Sequence, residues 1–475
     1  MNSLNMLPAL QWLMRALLTL HAKSRWGGSS LLVLLSLIGW ALPGHAGLPI
    51  QHWTASNQAQ IYLIESPALP MVDVQIDFDA GGRRDPAHQA GLASAVAQMT
   101  SKGLRARGQQ PALDENALGE AWADLGAMFG ASAGSDRMSF TLRTLTVPDV
   151  LQGALRLAAR QLADPSYPED IWRNERERAV AALKESYTRP GTVAQRAFSR
   201  AVYGQHPYGY EPDEASLRAI STADLRAFHD RHLLACRARV SIVGAVDRAQ
   251  AEAMVEQLLS LLPAAQPATG PNQRTCAELP KLAEVSALEA ATEQRIPFDS
   301  AQAHVLIGQP GIARRDPDFF PITVGNYILG GGGFVSRLTE QVREQRGLSY
   351  SVYSYFAPGL HAGAFTIGLQ TRPDQAGQAV QVATQVLREF VSHGPTEKEL
   401  KAAKDNLIGG FALRLDSNRK LLDQLANVAW NRLPLNYLDT WPDAIDRVTV
   451  ADIRAAFQRV LQPDRMVTVM VGGQP

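Results

Sequence analysis

Residues Val72–Pro86 read VDVQIDFDAGGRRDP, an apolar, strand-like run that ends in Arg-Arg-Asp-Pro. The same ending closes a second apolar run, AHVLIGQPGIARRDP, at Ala303–Pro317, which lies 231 residues further along the chain. Self-similarity at a fixed offset is typical of repeated structural units. The pair of segments therefore predicts an internal duplication.

A second pair of segments has nearly the same offset. Ala-Asp-Leu-Arg-Ala at Ala223–Ala227 recurs as Ala-Asp-Ile-Arg-Ala at Ala451–Ala455, 228 residues later. Each copy precedes a β-rich run, RARVSIVG (Arg237–Gly244) in the first case and DRMVTVMVG (Asp464–Gly472) in the second. Two matches in the same order and the same local context indicate two homologous halves.

The composition between these matches sets the predicted boundaries. The first half covers residues 47–262, and the second covers residues 293–475. The Pro-, Ala- and polar-rich stretch over 263–292 has no periodicity and is predicted to be the linker. Strand-like runs alternate with amphipathic helices such as Asp149–Asp164. The predicted fold class is α+β, with two homologous lobes in tandem, each a mostly antiparallel sheet with helices packed on one face.

The N-terminal segment has the features of a targeting sequence. Lys23 and Arg25 precede the apolar run Ser29–Leu42, and Gly44-His45-Ala46 supplies small residues at the two critical cleavage positions. This pattern predicts a signal peptide over residues 1–46 and a periplasmic or secreted protein. An uncleaved membrane anchor is the alternative, although the run is shorter than the ~20 residues that span a bilayer. No later stretch is long and apolar enough to do so.

Charge and cysteine content argue against several classes of protein. Lys plus Arg and Asp plus Glu each total 46, and the chain without its first 46 residues has a net charge of about −3. That balance argues against a nucleic-acid partner, which would need a basic surface. Cys236 and Cys276 form neither a disulfide framework nor a Cys-x-x-Cys metal site. Whether the two form a single bridge stays open.

Four segments together resemble one enzyme family. They are GGRRDP, the Gly-Leu-Ala helix start at Gly91–Ala93, YGQHPYGYEP at Tyr203–Pro212, and VREQRGLSYSVYSYF at Val342–Phe356. The chain resembles the insulinase or pitrilysin family of zinc metallopeptidases, in its short bacterial and mitochondrial-processing-like branch, over residues 50–475. The resemblance implies two similar lobes per chain. It also implies that two such chains enclose a chamber around an extended peptide.

Active members of that family carry His-x-x-Glu-His on the helix that follows Gly-Leu-Ala. Two imidazoles at i and i+4 share a helix face and bind zinc, and the Glu activates the bound water. Here Ser94 and Gln98 stand at the two His positions and Ala97 at the Glu position. The family's further Glu ligand is expected on the helix ERERAVAALKES, where Lys184 takes its place and Glu185 is adjacent. The resemblance therefore implies that this chain holds no zinc or other metal of its own.

Other catalytic or metal-binding arrangements are weaker. His229 and His232 lie three residues apart near a helix end and could form half of a metal site, but no third ligand is evident nearby. A structural turn before the next strand is the alternative interpretation. Ser94 has no recognisable base or nucleophile elbow beside it.

Two features of the second half match the family's chamber-facing parts. The glycine run Gly330-Gly331-Gly332-Gly333 could let the backbone approach another chain closely or act as a hinge. A chamber loop and a plain flexible loop are both compatible with it. Arg343 and Tyr350 show the seven-residue spacing of a family pair that projects into the active chamber, and Arg346 competes for the Arg role. The resemblance implies that Arg343 and Tyr350 bind substrate.

Together these features favour a catalytically incomplete peptidase subunit. Its partner would be a homologous subunit with an intact zinc motif, and both would act on a peptide substrate. Two alternatives stay open: a peptide-binding or scaffold protein with no role in turnover, and an autonomous hydrolase with an atypical site.

Overall fold

The structure, a computed structural model, describes residues 49–263, 276 and 278–473. The predicted signal peptide lies outside the described residues, and so do residues 264–275 and 277 of the predicted linker over 263–292. Within the described ranges, no helix is long and apolar enough to cross a bilayer.

Strands of the first half form a six-stranded sheet. They are β1 (Gln51–Thr54), β2 (Gln60–Glu65), β3 (Met71–Phe78), β6 (Met128–Ala133), β7 (Met138–Leu145) and β8 (Arg239–Gly244), while the two-residue strands β4 (Gly103–Leu104) and β5 (Leu113–Asp114) pair separately. The order is β1-β2-β8-β3-β7-β6. Strands β2 and β8 are parallel, and the other neighbours are antiparallel.

Strands of the second half repeat this plan. They are β9 (Thr292–Ile296), β10 (Ala303–Pro310), β11 (Ser351–Phe356), β12 (Ala364–Thr371) and β13 (Val467–Val471), in the order β11-β12-β10-β13-β9. The pair β13 and β9 is parallel, as β8 and β2 are, and the other neighbours are antiparallel. The predicted fold class, two homologous α+β lobes with mostly antiparallel sheets, is therefore confirmed.

Fourteen α-helices are found in the described residues. Those of the first half are α1 (Leu92–Met99), α2 (Glu115–Asp124), α3 (Pro148–Ala163), α4 (Glu169–Ser186), α5 (Pro190–Tyr203), α6 (Glu214–Arg218), α7 (Thr222–His232) and α8 (Arg248–Leu259). Those of the second half are α9 (Phe319–Asn326), α10 (Ala376–His393), α11 (Glu397–Gly409), α12 (Asn418–Asn431), α13 (Tyr437–Asp446) and α14 (Val450–Val460). Two π-helical segments, Tyr327–Gly331 and Thr339–Glu344, lie between α9 and β11.

The repeated Ala-Asp-Leu/Ile-Arg-Ala segments have a local structural role. Asp224 lies in the first turn of α7 and accepts a hydrogen bond from the backbone N–H of Ser221, whose hydroxyl accepts one from Asp224 N–H. Thr449 and Asp452 form the same reciprocal pair at the start of α14. Such capping boxes satisfy backbone donors that the helix leaves unpaired. The motif recurs because both helices start in the same way.

The two faces of the first sheet differ in chemistry. Along β3, Val72, Val74 and Ile76 point into an apolar core that includes residues of α3 and α8, as the two-residue period of a strand requires. The alternating positions Asp73 and Asp77 are also buried but point to the other face. There they pair with Arg143 and Arg137 of β7 and its preceding turn. A polar face of this kind needs a cover that can hydrogen-bond.

A helix of the second half covers that polar face. Helix α12 lies on β8 and β3, where Arg137 and Arg239 donate to the carbonyls of Ala426 and Trp430. Reciprocally, α5 of the first half lies on β10 and β13, with Phe198 in an apolar cluster beside Leu306. Helices α5 and α12 begin 228 residues apart, which is the offset of the repeat. The halves thus exchange equivalent helices, an addition to the predicted one-sided helix layer.

Candidate functional site

Asp85 of the first Arg-Arg-Asp-Pro motif fixes the start of α1. Its carboxylate accepts hydrogen bonds from the backbone N–H groups of Gly91 and Ala93, both at 2.9 Å. Gly91 has a φ of 104°, a conformation that favours glycine, and this lets the chain turn into the helix. Burial raises the pKa of Asp85 to about 6, against the effect of these hydrogen bonds. The motif therefore anchors the helix that carries the degenerate zinc positions.

The three motif positions lie as the sequence predicts on helix α1. Ser94 and Gln98 are exposed and one turn apart on the same face, while Ala97 is buried. The side-chain amide of Gln98 donates to Glu175 Oε2 of α4 at 2.9 Å. Glu175 is therefore the acid that faces the former ligand position 98.

This placement corrects the sequence-based assignment of Lys184. Lys184 lies nine residues beyond Glu175 on α4, about two and a half helical turns away. Its ammonium group is largely exposed and pairs with Glu214 at 2.9 Å. The adjacent Glu185 pairs with Arg189 within the same exposed segment. Within the described residues, neither Lys184 nor Glu185 forms a hydrogen bond or an ion pair with α1.

The side chains around Gln98 do not fit a zinc ion. Glu175 offers one carboxylate, but Lys102 Nζ lies 3.3 Å and Arg178 Nη1 3.0 Å from its Oε1. A serine hydroxyl and a carboxamide are poor zinc ligands, and the two neighbouring cations would repel the metal. In the described part of the chain, no group of three or more His, Cys, Asp or Glu side chains could hold a metal ion.

Arg343 and Tyr350 are brought together, as their spacing predicts. The guanidinium carbon of Arg343 lies 5.0 Å from the ring centre of Tyr350 and 4.8 Å from that of Phe334. Both distances are typical of cation–π contacts. Gly347, with a φ of 60°, ends the Arg343 segment and turns the chain towards β11. Arg346 bonds instead to the backbone and side chain of Gln341.

A cavity of about 340 Å³ adjoins the Arg343–Tyr350 pair. Its walls include the glycine run and the edge strand β11. A Cβ atom on Gly330 would lie 2.5 Å from Ser354 N, so this glycine permits close packing on β11. Gly333 has a φ of 62° and open space around its Cα, and Phe334 follows it with 71% of its surface exposed. The run therefore presents Phe334 beside Arg343.

The predicted half-site of His229 and His232 has a structural environment. Both side chains are buried, and His229 Nε2 lies 2.8 Å from the carbonyl oxygen of Leu162. His232 Nδ1 lies 3.2 Å from the carbonyl oxygen of Asp79. His229 Nδ1 also lies 3.2 Å from Asp230 Oδ1. These contacts engage both nitrogens of His229 and one of His232, and they tie α7 to α3 and to the residue after β3. They support the interpretation as a structural turn.

The burial of His232 predicts an acid-sensitive stability. Burial lowers the pKa of His232 to about 4, below the 6.5 of an unfolded chain, so the unfolded state binds more protons between these values. This contribution is complete above pH 6.5 and is lost as the pH falls towards 4. Between pH 7.5 and 4.5, wild type should lose about 2–3 kcal/mol more unfolding free energy than His232→Gln. Urea unfolding at both pH values measures this difference, and equal losses would contradict it.

Comparison with known proteins identifies the family. Residues 219–407 match the profile described as the peptidase M16 inactive domain. A similar solved structure is the crystal structure of a peptidase M16 inactive domain from Pseudomonas fluorescens, with a sequence identity of 32% and a TM-score of 0.82. The match covers 90% of this chain and 98% of that one. The chain belongs to the M16 peptidase family. This is the insulinase-type family that the sequence resembles, so the predicted membership is confirmed.

Curated M16 relatives include proteins named non-peptidase homologues and proteins named zinc proteases. A protein named a non-peptidase homologue, from Helicobacter pylori, is 26% identical over 84% of this chain and 88% of its own length. An uncharacterized zinc protease from Streptomyces coelicolor is 30% identical over 57% of this chain, and the match spans 58% of that protein. The chain described here is an inactive M16 peptidase homologue.

The M16 comparison gives a meaning to Glu175, which the sequence did not predict as a site residue. Glu175 lies on α4, the helix on which the resemblance expects the family's further Glu ligand, and it accepts a hydrogen bond from the side chain at position 98. The sequence pattern of α4 contains several acidic residues, and only the contact with Gln98 distinguishes Glu175 from them. The sequence also did not predict that Phe334 contacts Arg343, although Phe334 directly follows the four glycines.

Proposed function

We propose that this chain is the non-catalytic subunit of a two-subunit zinc peptidase, in which it binds and orients the peptide. One observation carries the proposal: Arg343 and Tyr350 are held together beside an open cavity, while α1 lacks the family's zinc ligands. A homologous M16 subunit with an intact His-x-x-Glu-His motif would supply the zinc. This chain itself would hold no cofactor.

The exposure of the aromatic side chains supports an interacting surface. Phe334, Val335 and Tyr350 are 71%, 76% and 81% exposed, and they adjoin one another in sequence or through Arg343. Exposed clusters of large apolar side chains often mark binding sites. Arg and Tyr are also enriched among residues that dominate binding energy. The cluster is thus suited to contact a peptide or a partner subunit.

The two polar groups would have separate tasks. The Arg343 guanidinium can donate paired hydrogen bonds to backbone carbonyls or to a terminal carboxylate of the peptide. The Tyr350 hydroxyl has no partner within the described residues and can donate to an oxyanion that develops at the scissile carbonyl. The rings of Phe334 and Tyr350 would hold the guanidinium in place before the peptide arrives.

The cysteine pair supports a location outside the cytoplasm. Cys236 and Cys276, left open by the sequence, are joined by a disulfide across 40 residues. Disulfides form and persist in oxidising compartments such as the periplasm. Together with the predicted signal peptide, this favours a periplasmic or secreted protein.

A second candidate is a peptide-binding or scaffold protein with no role in turnover. The relative named a non-peptidase homologue favours it. The same exposed cluster would then bind peptide or a partner without affecting cleavage. The two candidates share the binding surface and differ only in its effect on catalysis.

Association with a zinc-bearing homologue tests the proposed pairing. The test uses a purified M16 homologue from the same organism that carries an intact His-x-x-Glu-His motif. Sedimentation velocity of the two purified chains should show a one-to-one complex. A Phe334→Ser, Val335→Ser variant, with its fold checked by circular dichroism, shows which molecule the exposed cluster contacts. Unchanged association with the homologue would mean that the cluster binds the peptide. Two chains that sediment independently at all concentrations would contradict the proposal.

A further inference from the structure

A second, larger cavity is lined by other parts of the chain than the Arg343 segment. It has a volume of about 1010 Å³ and shares no lining residue with the cavity beside Arg343. Its walls come from β2, the start of β8, the end of α12 and the linker residues Cys276, Glu278, Leu279 and Lys281. Cavities that bind small molecules typically measure about 300–1,000 Å³, so this one can hold a ligand of nucleotide size.

The lining of this cavity has a strong excess of positive charge. Among the described residues that line it, six are basic, namely Arg84, Arg237, Arg239, Lys281, Arg315 and Arg432, and two are acidic, namely Asp79 and Glu278. Asp79 already pairs with Arg83 and Arg84 at 2.6 and 2.7 Å. The chain as a whole has no net charge, so the excess is local. Such a concave cationic surface concentrates anions.

Arg239 and Arg432 form the centre of this excess. Arg239 is partly buried, and its hydrogen bond goes to a neutral group, the carbonyl oxygen of Trp430, at 2.9 Å. Burial, and next the charge of Arg432, lower the pKa of Arg239. Arg432 follows α12 in the left-handed conformation, with a φ of 51°, which is uncommon outside glycine. The two like charges line the same cavity, and within the described residues no carboxylate is bonded to either.

The remaining walls combine aromatic and leucine side chains with uncharged polar ones such as Gln58, Gln60 and Asn431. Trp430 is 6% exposed, and its indole N–H has no hydrogen-bond partner among the described residues. His52 and Tyr62 stack with ring centres 4.3 Å apart. The linker wall is attached to the first lobe by the Cys236–Cys276 disulfide and by a 2.6 Å hydrogen bond from Arg84 to the carbonyl of Pro280. The cavity is thus formed before any ligand binds.

We propose that this cavity binds a small polyanion, with its phosphoryl or carboxylate groups paired to the Arg239 and Arg432 guanidiniums. Guanidinium groups match both kinds of anion through paired hydrogen bonds. The anion would neutralise the two like charges, and the aromatic and leucine-rich walls would contact any less polar part. This site is independent of the proposed peptidase role.

Calorimetric titration of the full chain with tripolyphosphate and, separately, with citrate tests the site. At least one probe should bind with a Kd below about 1 mM, and Arg432→Gly should weaken it about 10- to 100-fold. Glycine suits the left-handed conformation at position 432, so this variant should keep its fold. Binding should also weaken with added salt.

Arg372→Gln is the matched control, since Arg372 is exposed and pairs with Asp374 outside the cavity. It should leave the affinity unchanged. Binding of tripolyphosphate alone would assign a phosphoryl ligand, and binding of citrate alone a carboxylate ligand. Failure of both probes to bind, or equal losses in Arg432→Gly and Arg372→Gln, would overturn the proposal.

Discussion

Replacing Arg343 by alanine should slow peptide cleavage by the assembled two-subunit complex by about 100-fold or more. The substitution removes the guanidinium that lies between the rings of Phe334 and Tyr350, and with it the donor proposed to hold the peptide. The loss should appear in kcat/KM, because both binding and orientation depend on this group. Steady-state cleavage of a fluorogenic peptide measures it.

Arg346→Ala provides a matched control for that result. Arg346 lies three residues away, is exposed and bonds to Gln341 rather than to an aromatic ring. Its loss should leave cleavage within about twofold of wild type, because exposed side chains away from a site contribute little. Tyr350→Phe keeps the ring and removes the hydroxyl, so it should lower kcat with little change in KM. A complex in which Arg343→Ala and Tyr350→Phe both cleave at the full rate would contradict the substrate role.

Introducing the family's zinc motif on α1 should create a metal site there. The triple variant Ser94→His, Ala97→Glu, Gln98→His places two imidazoles one turn apart, near the carboxylate of Glu175. We expect zinc to bind at one ion per chain, at least about 1,000-fold more tightly than to wild type. Lys102 and Arg178 next to Glu175 should keep the affinity below that of an active relative. Equilibrium dialysis against zinc measures both.

Two further substitutions in the triple variant test the ligand assignment. Glu175→Gln should weaken zinc binding by at least about 100-fold, since even groups behind the direct ligands contribute 10- to 100-fold. Lys184→Ala should have no effect, because Lys184 pairs with Glu214 on a distant turn of the helix. The reverse pattern, with zinc lost through position 184 and kept without Glu175, would contradict the structure of this site.

The sequence could predict the fold because the duplication left matching segments. The Ala-Asp-Leu/Ile-Arg-Ala motifs form capping boxes at the starts of α7 and α14, and Asp85 of the first Arg-Arg-Asp-Pro motif binds backbone N–H groups at the start of α1. Specific side chains are needed at these positions, so the segments are still recognisable. The exchange of α5 and α12 between the lobes could not be predicted. Offsets show which segments correspond, but they do not show which sheet a helix covers.

The candidate site could be predicted in part for a similar reason. Ser94, Ala97 and Gln98 follow a local Gly-Leu-Ala marker, and Arg343 and Tyr350 lie within one short motif. Glu175 lies 77 residues beyond Gln98, and several acidic residues of α4 were equally plausible until their contacts were seen. The cationic cavity has no sequence motif, since its arginines come from β8, the residue after α12 and three other segments, at Arg84, Arg237 and Arg315.

The division of labour is tested most directly by one rate measurement on three preparations. Cleavage of a fluorogenic peptide would be followed with this chain alone, with the purified zinc-bearing homologue alone, and with the two mixed in equal amounts. We expect no cleavage by this chain, and we expect the mixture to cleave at least about 10-fold faster than the homologue alone. Cleavage by this chain in isolation, or a mixture no faster than the homologue, would contradict it.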